Sequence, residues 1–277
     1  MDLKDYIEHR ARLFTMDSGF SCPDWCDRHG CKDENLHVSA SIIDVVAASL
    51  LTGQTASGIF RSHFKIGTSP TDESPWVQRF GLELKKPCPF LAGKDCGIYG
   101  ARPITCALFP EAFFLSPEQE KGVDMGKFGH YPCLQEPPYI SEKRRSHIVE
   151  LMEMARRETF LTEFYFFGFS PLLIDLRNTA MDTMDGSRDI SGDIGDGRRH
   201  YEVPHEHIEE ILVRKLGKGG YLPEIDSKVE RLNGSSGIDS LCAIKERIDP
   251  ITASDKDFPY CYEFDHRNRL KLVKRST

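Results

Sequence analysis

The sequence has no apolar run near the roughly 18 residues that crossing a bilayer needs. Its opening, MDLKDYIEHRARLF, carries acids where a secretory leader carries an apolar core. A cytoplasmic chain with no membrane partner is expected. An excess of basic charge is missing too. The net charge is −7 at pH 7, which argues against nucleic acid as a partner held by bulk electrostatics. Short basic runs, EKRRSH at 142–147 and RNRLKLVKRST at the tail, read as solvated surface. Familiar catalytic fingerprints are also lacking. There is no GxGxxG, no HExxH and no Gly-x-Ser-x-Gly. Gly217-Lys218-Gly219-Gly220 has neither the strand nor the Lys-Ser/Thr pair of a P-loop. Residues 184–197, MDGSRDISGDIGDG, lack the acidic spacing and closing Glu of a calcium loop.

What the chain does have is cysteine. Nine cysteines in 277 residues are many for a compartment in which disulfides are rare, so ligands or reactive thiols are the first reading. Seven stand before residue 134: Cys22, Cys26, Cys31, Cys88, Cys96, Cys106 and Cys133. Cys242 and Cys261 stand apart and are expected to lie outside any site.

The length allows one large domain or two small ones. The 39% apolar and 29% charged fractions suit a folded globular chain. Residues 2–14 predict an amphipathic helix capped by Asp2, with Leu3, Tyr6, Ile7, Leu13 and Phe14 on its apolar face. FSCPDWCDRHGCKDENLH reads as a loop. Ser41 and Asp44 predict a capping-box start for a helix that Gly53 stops. IFRSHFKIG and FGLEL alternate apolar and polar residues and read as strands. KKPCPFLAGKDCGIYG reads as two extended pieces around an Ala-Gly-Lys-Asp turn. ARPITCALFP reads as one helical turn with Pro103 at its first position. A long helix is expected from Ser141 to Phe167, with Ile148, Leu151, Met152 and Ala155 as its stripe and Gly168 as its stop. Further helices are expected in VPHEHIEEILVRKLGKGG and around Ile238 to Ile248. The Gly/Asp-rich stretch 182–199 is expected to separate a cysteine-cluster metal-binding domain, residues 1–181, from a smaller C-terminal region, residues 200–277. The fold class is α+β: helix-rich, with short strands and Cys-rich loops organised around a metal or iron–sulfur site.

Cys22-x3-Cys26-x4-Cys31 puts three thiols into one short loop, which can aim them at one point as a regular strand cannot. Cys88, Cys96 and Cys106 form a second group and Cys133 follows, bounded by Pro or Gly in Lys86-Pro87-Cys88-Pro89, Asp95-Cys96-Gly97 and Tyr131-Pro132-Cys133. Such residues fix the backbone and let it approach an ion closely. A single cysteine is most often a small apolar core residue. Seven in turn-like contexts within half a chain point to metal ligands. Four thiolates suit zinc or an iron–sulfur cluster alike. Ligands spread over more than a hundred residues, with Trp25, Phe90, Tyr99 and Phe109 beside them, favour a shielded [4Fe–4S] cluster over zinc. Arg102 is read either as a hydrogen-bond donor to thiolates or a carboxylate, or as a surface residue capping a turn.

CPFLAGKDCGIYGARPITCALFP resembles the signature of the YkgJ-type cysteine-cluster proteins, the CxxCxxCC zinc- or iron-chelating domain, which runs CP-x-L, then C-x-IY-x2-RP-x2-C-x-x-FP. The matching residues are Cys88, Pro89, Leu91, Cys96, Ile98, Tyr99, Arg102, Pro103, Cys106, Phe109 and Pro110. The Cys22–Cys31 loop followed by a helix containing Asp44 fits the family order, and the likeness covers residues 20–135. One departure stands out: the family's first group ends in two adjacent cysteines, but Lys32 follows Cys31. His29, His37 or His130 is then a candidate for the missing ligand. The alternative is a single four-cysteine site, with three cysteines left over as structural or outer residues. The resemblance implies a metal-binding protein with a redox or electron-transfer role. Some family members resemble flagellin lysine N-methylases, so a cluster-dependent protein-modifying enzyme is a second expectation. A zinc-stabilised interaction module with a protein or small-molecule partner is a third.

Overall fold

A computed structural model describes residues 2–71, 74–115, 131–135, 139–162, 173–175, 188–189, 201–203, 225–234, 260–264 and 270–274. It has the helices and short antiparallel strands of an α+β fold.

The first helix, α1 (Leu3–Thr15), starts where the sequence predicts. Asp2 is its N-cap and accepts the Asp5 backbone N–H at 2.8 Å. Leu3, Tyr6, Ile7, Leu13 and Phe14 are buried, as their spacing requires, and Arg10 is buried with them. Inside the cysteine loop, predicted to be irregular throughout, His29–Lys32 forms one helical turn, α2. The short strand β1 (Ser39–Ala40) leads to α3 (Ile42–Thr52). Both halves of the Ser41/Asp44 capping box are formed, and Gly53 ends the helix at φ 70°, a left-handed conformation that favours glycine. Ile42, Ile43, Val45, Val46, Ala47 and Ala48 are all buried, so this helix runs through the core.

IFRSHFKIG is not one strand. Its first half belongs to α4 (Ala56–His63), and β2 (Phe64–Thr71) begins only afterwards. Two things override the alternation. Thr55 caps the helix by accepting the Gly58 N–H at 3.1 Å, and Ala56, Ile59 and Phe60 are buried at helical spacing. β2 pairs antiparallel with β3 (Ser74–Leu84), which contains the predicted FGLEL strand. A six-stranded sheet follows the order β1-β3-β2-β8-β7, with β6 (Leu173–Asp175) also on β3; β7 is Arg188–Asp189 and β8 is Tyr201–Val203. The KKPCPFLAGKDCGIYG expectation holds: β4 (Leu91–Ala92) and β5 (Asp95–Cys96) pair antiparallel around a turn containing Gly93 at φ 64°. In α5 (Ile104–Leu108), Pro103 is the N-cap rather than the first helical residue.

The short α6 (Pro132–Gln135) precedes α7 (Glu142–Leu161). The predicted stripe of α7 needs correcting. Ile148, Leu151, Met154 and Leu161 are buried, whereas Met152 is exposed. Arg144 and Glu158 complete that face as buried charges. Beyond residue 200, β8 pairs with β2, and α8 (Ile225–Gly234) packs on α4 and α1. Ser57 donates its hydroxyl to Asp226 at 2.6 Å. A separate hairpin joins β9 (Tyr260–Phe264) to β10 (Leu270–Lys274). The predicted 204–220 and 238–248 helices, the 163–167 end of the long helix with its stop at Gly168, and most of the 182–199 stretch lie outside the described residues.

No single described helix is long and apolar enough to cross a membrane. The apolar pair α3 and α4 meets at 111° and buries Ile42 to Ala48 of the first helix and Ala56, Ile59 and Phe60 of the second, while Leu50 and Leu51 are exposed.

Candidate metal centre

Arg10, on α1, is 1% exposed. Its Nη1 donates to Asp44 Oδ1 and Glu158 Oε2, each at 2.8 Å. Tyr6 and Ser41 donate their hydroxyls to Glu158 at 3.1 and 2.7 Å. One cation is thus shared by two carboxylates from α3 and α7. Burial pushes the Glu158 carboxyl up, and the Arg10 charge pulls it back. Burial alone would lower Arg10, but Glu158 and Asp44 more than offset that and hold it charged. The network reaches the cysteines through Asp44. Its Oδ1 also accepts the N–H of Ile104 at 3.3 Å, at the start of the helix that carries Cys106.

The cysteine loop is tied to the β4–β5 hairpin at several points. The Cys88 N–H donates to the Cys31 carbonyl at 2.7 Å. Lys86 Nζ donates to the Gly30 carbonyl. Arg28 sits at φ 59°, and its Nε donates to the Lys94 carbonyl at 2.6 Å. Lys94 Nζ returns a bond to the Asp24 carbonyl at 3.0 Å. The turn bearing Cys133 is anchored by Tyr131. Its hydroxyl donates to Asp33 Oδ2, and its ring meets Phe109 edge-on at 6.2 Å.

These ties bring the seven thiols into one region, in which each thiol with a resolved shift is influenced by at least one other. Burial raises the thiols of Cys22, Cys31, Cys88 and Cys96, pushes Cys133 up to about 11 and Cys106 to about 12. Those six thiols therefore keep their protons at neutral pH, and any metal that bound them would have to displace the protons. Opposing features favour the thiolates. Backbone groups of Phe90 and Leu91 hydrogen-bond to Cys88, and that of Ile98 to Cys96. Lys86 lowers Cys31, Cys88 and Cys106, Arg28 and then Arg102 lower Cys22, and Arg102 lowers Cys96. No disulfide pairs these seven residues, which are all free.

The donor chemistry fits a thiolate-bound metal. The spacing is looser: among the described residues, no three or more His, Cys, Asp or Glu side chains are disposed to hold an ion. Of the histidine candidates, His37 Nδ1 lies 3.1 Å from Glu83 Oε2 on β3, and His29 lies 6.5 Å from the Tyr131 ring. His130 and Cys242 lie outside the described residues. Cys261 sits in β9 opposite Val273. Arg102 is neither the thiolate donor nor the plain surface residue that its position suggested. Its guanidinium stacks 3.8 Å from the Tyr99 ring centroid and 5.6 Å from that of Phe14, and its buried Nε has no hydrogen-bond partner among the described residues.

Sequence reasoning missed the polar frame, Arg10 with Glu158, whose only sequence signal is a charge on the apolar face of each helix. Gly97, read in the sequence only as a turn residue beside Cys96, has a closer constraint. Its N–H donates to the Phe90 carbonyl at 2.8 Å, and an added Cβ would stand 3.2 Å from that oxygen. Gly97→Ala is expected to shift the Phe90 carbonyl, loosen the hairpin between Cys88 and Cys96, and cost about 1–3 kcal/mol in a denaturant melt. Comparisons with family models, curated proteins and solved structures find no match to this chain, so the family likeness rests on the residues of 20–135 that carry it.

Proposed function

We propose that this chain is a thiolate metalloprotein that holds an iron–sulfur cluster through cysteines of its N-terminal half and works in electron transfer. The observation that carries the reading is the convergence of seven free thiols, with backbone donors aimed at Cys88 and Cys96 and three cations, Lys86, Arg28 and Arg102, set among them. Hydrogen bonds and nearby cations favour thiolates, and they tune the potential of a bound cluster. Binding closes the thiols onto the metal and releases their protons.

The test is elemental analysis with an absorption spectrum on the anaerobically purified chain. Iron with acid-labile sulfide and a broad band near about 400 nm is the expected result. Zinc without iron keeps the thiolate centre but removes the electron-transfer role, since zinc has no redox chemistry. Absence of both overturns the reading. Cys96→Ser and Cys106→Ser are each expected to weaken metal retention by more than the about 10–100-fold cost of an outer-shell change. Wild-type metal content in both would remove them as ligands. Cys261→Ser and Cys242→Ser are expected to keep full metal content.

A further inference from the structure

One pair among the seven cysteines is joined directly through backbone. The Cys88 N–H donates to the Cys31 carbonyl at 2.7 Å. An amide nitrogen lies about 1.5 Å from its own α carbon, and a carbonyl oxygen about 2.4 Å from its own. The α carbons of Cys31 and Cys88 therefore stand no more than about 6.6 Å apart, inside the about 4.4–6.8 Å that a disulfide spans. The approach is fixed on both sides. Cys31 sits in α2, where its N–H closes a turn on the Arg28 carbonyl at 2.8 Å. Lys86, two residues before Cys88, donates to the carbonyl of Gly30, one residue before Cys31. Arg28 and Lys94 tie the same loop to the same hairpin through the Lys94 and Asp24 carbonyls. No such bond joins any other two of the seven: the Cys26 N–H turns back to Pro23, and Cys96 pairs with Leu91. Cys31 and Cys88 are both free and half-buried, so a small oxidant reaches them. Burial raises both thiols, and Lys86 opposes that rise in each.

We propose that Cys31 and Cys88 are a redox pair, which hydrogen peroxide oxidises to an intramolecular disulfide that locks the cysteine loop to the β4–β5 hairpin. The thiolate of one cysteine attacks a peroxide oxygen. The O–O bond breaks, the far oxygen leaves as water with the first thiol's proton, and a sulfenic acid remains. The second thiolate attacks that sulfur. The S–O bond breaks, hydroxide leaves and takes up the second thiol's proton as water, and the S–S bond forms. Two thiols lose two electrons, and one peroxide is reduced to two waters. The bond needs no metal, so it does not rest on the function proposed above. A metal held by either residue would occupy the same sulfurs, and the disulfide then belongs to the metal-free chain.

The full chain is assayed for metal, then stripped with a chelator under dithiothreitol and desalted, with circular dichroism to follow the fold. One equivalent of hydrogen peroxide is added, the remaining thiols are alkylated, and the unreduced digest is read by mass spectrometry. The expected product is one dominant cross-link between the peptides of Cys31 and Cys88, two hydrogens lighter than their sum. Thiol titration is expected to fall by two and to recover with dithiothreitol. Cys31→Ala is expected to abolish the cross-link. A second measurement needs no variant: the denaturation midpoint of the unaltered chain is expected to rise on oxidation and to return on reduction, since the cross-link restricts the unfolded chain. Thiols unchanged by peroxide, a mixture of pairings, or Cys88 joined chiefly to Cys96 or Cys106 overturns the redox pair. A chain that carries no metal as purified but forms the Cys31–Cys88 bond overturns the metal reading alone. Metal in the purified chain without that bond after stripping overturns the redox pair alone.

Discussion

Arg10→Met is expected to lower folding stability by about 3–5 kcal/mol, because it leaves two buried carboxylates without their shared cation. Asp44 and Glu158 are each about 2% exposed, and both reach Arg10 Nη1 at 2.8 Å. Methionine fills the volume, so the loss measures charge rather than a cavity. The pH dependence gives the sign. Burial already pushes Glu158 up against the pull of Arg10. Without Arg10 it rises further above its unfolded value, so the folded variant binds a proton more tightly than the unfolded chain. The deficit relative to wild type is therefore fullest above the raised value and shrinks as pH falls through it. A denaturant series at about pH 8 and about pH 5.5 measures this. An equal deficit at both would mean that the carboxylates are not the cause. The same variant removes the partner that holds Asp44 against the Ile104 N–H, at the start of the Cys106 helix. Metal retention is expected to fall with stability, and Glu158→Gln, which leaves Asp44 and Arg10 paired, is expected to spare it.

What could be read in the sequence follows the range of each interaction. The caps of α1 and α3 were legible because Asp2, Ser41, Asp44 and Gly53 act within four residues of where they stand. The β4–β5 turn was legible for the same reason. The strand assigned to IFRSHFKIG failed at a local level, because Ile59 and Phe60 suit both periods and Thr55 decides between them. The buried charges were hidden for a different reason. Arg10 meets Glu158 across 148 residues and Asp44 across 34, and a lone charge on a helix face reads as surface until its partner is placed. The cysteines divide the same way. Their turn-like contexts, and so their candidacy as ligands, follow from adjacent Pro and Gly. Their spatial neighbours do not, because these depend on Cys31 meeting Cys88 and on Tyr131 meeting Asp33, contacts 57 and 98 residues apart in sequence.

Arg144→Met should cost about 3–5 kcal/mol, and Arg144→Lys should recover only part of it. Arg144, 1% exposed near the start of α7, divides its donors between two tasks. Nη1 and Nη2 cap the end of α1 by donating to the carbonyls of Leu13, Met16 and Phe14 at 2.7, 3.1 and 3.2 Å. Nε and Nη2 meet Glu111 Oε2 at 2.9 and 2.5 Å, and Ser18 donates to the other oxygen at 3.1 Å. A lysine is a point charge with three donors and cannot span three carbonyls and a carboxylate in that planar fork. Removing the fork strands helix-end carbonyls as well as the Glu111 charge, and both costs arise away from water. The effect should also reach the cysteines. The capped end of α1 carries Phe14, which lies under both Arg10 and Arg102 at 5.4 and 5.6 Å, and Arg102 is the cation acting on Cys96 and, after Arg28, on Cys22. A double-mutant cycle with Glu111→Gln separates the two roles. Coupling confined to the ion pair would leave Arg144→Met with a large residual loss from the uncapped helix. The absence of such a residual would show that Arg144 acts on Glu111 alone.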